Sequence, residues 1–144
     1  MKQVIQIRCK NNKKTKKVAI GSTLSDVFSE LNLEMPYGPI AAKVNNKVEG
    51  MNFRLYHNKD VEFLDMTSGS GSRCYTRTLF FVLSKAVHDL YPGSRVVIDI
   101  PVSNGYYVDL YIGRAVSLED TERIRKRMQE IIDAKMPVRR FEVP

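Results

Sequence analysis

"GSTLSDVFSELNL", residues 21–33, decides how this chain folds. Leu24, Val27, Phe28 and Leu31 recur at i, i+3, i+4 and i+7, the spacing that gathers side chains on one face of a helix. Thr23 stands in front as an N-cap, and Asp26, three residues on, completes a capping-box pattern. "EMPYGP" (34–39) then stops the helix with two prolines and a glycine. The result is one short amphipathic helix whose apolar stripe needs a surface to cover.

That surface is legible on both sides. Upstream, "QVIQIR" (3–8) reads as a strand with Val4 and Ile7 inward, and "KVAI" (17–20) as its partner. The polar, lysine-rich "CKNNKKTKK" between them reads as the hairpin turn. Downstream, "IAAKVNNKVEG" (40–50) reads as a hairpin, with Asn45-Asn46 suited to the positive-φ positions of a tight turn. "VEFLD" (61–65) gives a last strand with Val61 and Phe63 on one face. The order β-β-α-β-β-β with a single helix on a small mixed sheet predicts a β-grasp fold over residues 1–66.

The Gly/Ser run at 67–72 has the composition of a flexible linker, and residues 73–144 read as a second α/β segment. Its long helix carries the stripe Leu79, Leu83, Ala86, Val87 and Leu90, and ends at Pro92-Gly93. "RVVIDIPV" and "GYYVDLYIG" form two strands around the turn Ser103-Asn104-Gly105. Ser117, with Asp120, caps a final helix whose buried stripe is Ile124, Met128, Ile131 and Ile132. "VRRFEV" (138–143) reads as the beginning of a further strand. The overall class expected is α+β.

Composition narrows the partners. The chain has 144 residues and a formal net charge of +7, which favours polyanions such as RNA or nucleotides. No apolar run approaches the ~18–20 residues of a membrane span, and the N-terminus lacks the apolar core of a signal peptide. A cytoplasmic protein with no membrane partner is expected. The cysteines, Cys9 and Cys74, are far apart in sequence and lack the spacing of a redox pair.

The first segment resembles a TGS domain, a β-grasp module of threonyl-tRNA synthetases, some GTPases and stringent-response enzymes. The resemblance rests on "GSTLSDVFSEL", "AAKVNNKV" and "NKDVEFL" in that order. The second segment resembles the start of the synthetases' second N-terminal domain, which edits mischarged seryl-tRNA. It rests on Tyr91-Pro92, Asn104-Gly105-Tyr106-Tyr107 and the helix from Glu119. In that family the first helix carries two histidines one turn apart. Counted back from Tyr91-Pro92, those positions fall on Arg77 and Phe81. The resemblance therefore implies an editing-type domain, truncated here, without its catalytic pair, and no catalytic residue is expected. The histidines of the chain, His57 and His88, fall elsewhere.

"MPYGPIAAKVNNKVEG" and "TLFFVLSKAVHDLYPG" also resemble bacterial proteins that join these two modules to a C-terminal P-loop kinase of the uridine kinase group. That resemblance implies an ATP- and Mg-dependent nucleoside kinase as the parent, with its kinase domain as intramolecular partner. The chain itself carries no Walker A loop and no Gly-Lys pair, so neither a cofactor nor a metal is expected in it. Its expected role is non-catalytic recognition or regulation. A tRNA-editing fragment and a plain RNA-binding module are the alternatives.

Several residues are candidates for anion or RNA contact. Lys13, Lys14, Lys16 and Lys17 read either as a phosphate-binding hairpin tip or as a solvated turn with a lysine-guarded edge. Arg73 and Arg77 lie near a helix start, where the dipole favours anions. Arg123 and Arg127 belong to a basic run that also reads as a solvated helix face. Tyr106, Tyr107 and Asp109 read as a pocket wall or as ordinary strand packing.

Overall fold

A computed structural model describes residues 3–144. It is α+β, and the described chain divides into two units, Met1–Thr76 and Arg77–Pro144.

In the first unit, β1 (Val4–Cys9), β2 (Thr15–Ala19), α1 (Leu24–Leu31), β3 (Ala41–Val44), β4 (Lys47–Gly50) and β5 (Lys59–Leu64) follow in the expected order. The five-stranded sheet runs β2-β1-β5-β3-β4. Its central pair β1 and β5 is parallel, and the neighbouring pairs are antiparallel. Helix α1 begins as its capping box requires. Thr23 Oγ1 accepts from Asp26 N–H at 3.2 Å, and Asp26 Oδ2 accepts from Thr23 N–H at 2.9 Å. Leu24 and Val27 are buried, and Phe28 meets Phe63 edge-on at 5.1 Å between ring centres. Asn45 and Asn46 take positive φ in the β3–β4 turn, as expected. Thr23→Ala leaves a helix donor without its acceptor and is expected to lower stability by about 1 kcal/mol, read by urea denaturation.

Three features of the first unit differ from expectation. Ile5, Ile7 and Cys9 point inward on β1, whereas Val4 is 58% exposed. Strand side chains alternate with period two, so Val4 and Ile7 cannot share a face, and Ile5 pairs with buried Val18. Strand β2 runs over Thr15–Ala19 instead of 17–20, so Lys16 joins Lys17 in the ladder and Lys13 and Lys14 stay in the turn.

The third correction concerns the Gly/Ser run, which is not a linker. Helix α2 (Gly69–Leu90) starts inside it. Ser68 Oγ accepts from Gly71 N–H at 3.0 Å and caps the first turn, while Asp65 Oδ1 accepts from Thr67 N–H at 2.9 Å. The Thr67 hydroxyl first, and then that N–H, hold the Asp65 carboxyl below its usual range. Small hydroxyl side chains that look like linker composition are acting as caps.

The second unit contains the rest of α2, the hairpin β6 (Arg95–Val102) and β7 (Gly105–Tyr111), and α3 (Leu118–Asp133). Ala86, Val87, Ile124 and Ile131 are its buried centre, with Leu83, Leu90 and Met128 packed around them. Ile132 is 47% exposed, because one residue beyond Ile131 turns about 100° away from the buried stripe. Residues 138–143 form no strand: β6 and β7 pair with each other, and "VRRFEV" has no partner ladder among the described residues. A strand exists only through such pairing.

Candidate functional site

Helix α2 places Arg77 and Phe81 one turn apart on one face, both exposed. With Phe80 and Ser84 they line a groove of about 290 Å³. Phe80 meets Tyr106 edge-on, 4.9 Å between ring centres at 87°, which brings the hairpin to this groove. The strand pleat then separates the other two residues expected beside Tyr106. Tyr107 and Asp109 alternate onto the opposite face, where Tyr111 lies under the Arg95 guanidinium at 4.5 Å. The three residues therefore do not form one wall.

Arg73 and Arg77 also move relative to expectation. With the helix starting at Gly69, they sit in its second and third turns, and the dipole effect fades within the first. Arg73 Nη2 donates to Ser70 Oγ at 3.1 Å. Arg77 is left to act by its own charge.

Arg127 is tied down. It donates to Asp89 Oδ2 from Nε at 3.1 Å and from Nη2 at 2.8 Å, and to Glu130 Oε2 at 3.0 Å. Hydrogen bonds from Arg127 and Lys85 hold the Asp89 carboxyl below its usual range. Arg127 thus fastens α3 to α2, and a polyanion would have to displace two carboxylates to reach it. Arg127→Ala is expected to lower the thermal midpoint by a few degrees while leaving RNA affinity within about twofold. Paired melting and RNA titration check this. Arg123 is exposed and pairs with Glu119 at 2.6 Å along its own helix.

A second cluster escaped the sequence reading. Asp120, 2% exposed, accepts from Arg114 at 2.6 and 2.7 Å, from the Tyr91 hydroxyl at 2.6 Å and from Ser117 N–H at 2.9 Å. The Arg114 guanidinium first, then Tyr91 and Ser117, hold its carboxyl far below the usual range. The same bond raises the Tyr91 phenol. Every Asp120 contact named here serves the fold, joining the end of α2, the β7–α3 connection and the start of α3. The capping box was legible; Arg114 and Tyr91 join it only through tertiary packing.

The lysine run is divided by the β1–β2 register. Lys17 pairs with Gln6 and Thr15 with Arg8 on the face opposite Ile5, Ile7 and Cys9, whereas Lys16 pairs with inward Ile7. On that face Arg8 and Lys10 gather with Asn45, Asn46 and Asn58 around a cradle of about 610 Å³, which Lys59, in register with inward Ile7, also lines. These residues come from β1, the β3–β4 turn and the start of β5, so no local motif announces them. The signal was the alternation Gln6-Arg8-Lys10 against Ile5-Ile7-Cys9. Among the described residues, no group of three or more His, Cys, Asp or Glu is placed to hold a metal, and no helix is long and apolar enough to cross a membrane.

No family model matches the chain. It is 29% identical over 126 residues to a threonine–tRNA ligase of Rubrobacter xylanophilus, which covers 88% of this chain and 20% of the relative. It is 30% identical over 125 residues to the ligase of Natranaerobius thermophilus, 87% of this chain and 20% of the relative. With the ligase of Clostridium kluyveri it shares 28% over 141 residues, 98% of this chain and 22% of the relative. The chain spans about a fifth of the length of the curated relatives it matches. These similarities support the synthetase-related reading and give the expected nucleoside-kinase parent no support. Over most of its length, this chain is similar to the N-terminal region of threonine–tRNA ligases.

Proposed function

We propose that this chain is a non-catalytic recognition module of a synthetase-related protein, which contacts RNA at the Arg77 groove and leaves aminoacyl bonds intact. The observation that carries the reading is the pair Arg77 and Phe81, exposed one turn apart on the helix where the family resemblance expects two imidazoles. A guanidinium stays protonated at neutral pH and a phenyl ring has no lone pair. The pair therefore supplies attraction for a phosphate and a flat face for a base, and lacks the general base that deacylation needs. Because the relatives are tRNA ligases, tRNA is the RNA we favour. A P-loop nucleoside kinase on the same polypeptide, with its ATP and Mg, is the part of the proposal that rests on residue resemblance alone; a Walker A loop in a longer form of the protein is its test.

Fluorescence anisotropy with labelled tRNA tests the recognition role. Wild-type affinity is expected to fall steeply with salt, and Arg77→Ala to weaken binding about 5- to 10-fold at low salt. An affinity insensitive to salt and unchanged by Arg77→Ala would overturn the reading.

A further inference from the structure

We infer that the groove between α2 and the end of α3 is a binding site for a small amphiphilic carboxylate, whose alkyl chain lies in the groove and whose charge meets Lys135. Phe81 and Val82 of α2, Ile131 and Ile132 of α3, and Met136 and Val138 beyond it line about 510 Å³. Val82 and Ile131 also belong to the packed centre of the second unit, which holds the groove in shape. Phe81, Ile132, Met136 and Val138 are exposed. Apolar side chains exposed singly are ordinary, but these four share one concavity, and a contiguous apolar surface marks a place where something binds.

The charged groups decide the class of ligand. No carboxylate lines the groove, and its ionic side chains are Lys85 and Lys135. Lys85 donates to Asp89 Oδ1 at 3.1 Å, so its charge is met within the fold. The Lys135 ammonium has no ion-pair or hydrogen-bond partner among the described residues. Lys135 also stands at φ 48°, just past α3, where the left-handed backbone favours glycine or asparagine. One unpaired cation on an otherwise apolar lining suits a monoanion with an apolar body. A phosphate, with more charge and more acceptors, would find one free ammonium among methyl groups. A cationic amphiphile would meet Lys135 with like charge. The size agrees. The volume falls in the range of about 300–1,000 Å³ that holds small ligands. From Thr78 to Lys85 the groove follows about 10 Å of α2, enough for a medium-length alkyl chain. The groove shares Phe81 with the Arg77 groove but not its guanidinium, and the inference does not rest on RNA contact.

The side-chain methyl resonances of Ile131, Ile132, Met136 and Val138 report directly on this site in the full chain. Titration with octanoate is expected to shift all four. Octanol, with the same chain and no charge, is expected to bind about three- to fivefold more weakly, and octyltrimethylammonium more weakly still. Lys135→Asn removes the cation and keeps a residue suited to the left-handed backbone. It is expected to weaken octanoate about three- to fivefold and to leave octanol unchanged, a split that a purely structural lysine would not produce. Ile132→Gln puts an amide in the groove at an exposed position and is expected to weaken both ligands about tenfold. Circular dichroism checks that both variants fold. Arg77→Ala leaves the octanoate shifts unchanged, so failure here is distinct from failure of the RNA reading. The inference is overturned if octanoate leaves the four methyls still, if octyltrimethylammonium binds as tightly as octanoate, or if Lys135→Asn binds octanoate as wild type does. Methyl shifts that follow protein concentration alone would assign the groove to a second copy of the chain and also overturn it.

Discussion

Gly71→Ala is expected to destabilise the first unit by about 3 kcal/mol, roughly 15 °C in thermal midpoint, while Gly69→Ala, two residues away, is tolerated. A Cβ on Gly71 would lie 1.8 Å from the carbonyl oxygen of Asp65 and 2.7 Å from its carbonyl carbon. That carbonyl has little freedom to retreat, because Ser68 donates to it from both N–H, at 3.3 Å, and Oγ, at 3.1 Å. The obstacle is backbone, so accommodation means moving the turn that starts α2. At Gly69 a Cβ would meet only Arg73 Nη1 at 3.8 Å, an ordinary contact. Alanine there lowers the entropy of the unfolded chain and is expected to stabilise by about 0.5 kcal/mol. Thermal unfolding followed by circular dichroism separates the two. A flexible linker would tolerate both substitutions alike, and that result would contradict the capped start of α2.

Asp120→Ala is expected to lower the second unit's thermal midpoint by roughly 10 °C, with Asp120→Asn milder. The carboxylate is buried, but its partner Arg114 is 55% exposed on its side chain. Once released, the guanidinium turns into water, so the loss comes from the cap, the Tyr91 hydroxyl and the ion pair together. The pH dependence has a definite sign. Folding lowers the Asp120 pKa from 3.8, so its contribution is complete well above that value and is lost as pH falls below it. Acid unfolding of the wild type, followed at 222 nm, is expected to steepen below about pH 4, and Asp120→Asn to flatten that limb. Identical acid limbs would remove Asp120 from the determinants of stability.

Local patterns carried much of the fold. The stripe Leu24-Val27-Phe28-Leu31 and the two capping boxes predicted α1 and the start of α3, because helix period and caps are short-range properties. Asn45-Asn46 announced its turn for the same reason. The register of β1 was misread because "QVIQIR" admits two alternations, and only pairing of Ile5 with Val18 and Cys9 with Val61 decides between them. The Gly/Ser run was misread because serine caps and linker serines have one composition. The candidate site followed the same division. Arg77 and Phe81 could be placed by counting along one helix. The Lys10–Lys59 cradle and the Arg114–Asp120–Tyr91 network join residues far apart in sequence, which only the fold brings together.

The proposed recognition role requires that Arg77 and Phe81, one turn apart on α2, leave aminoacyl esters intact. The direct measurement is deacylation of seryl-tRNA specific for threonine, followed over time with and without the protein. Equal rates are expected at every protein concentration. A first-order loss of the seryl ester that rises in proportion to this protein would contradict it.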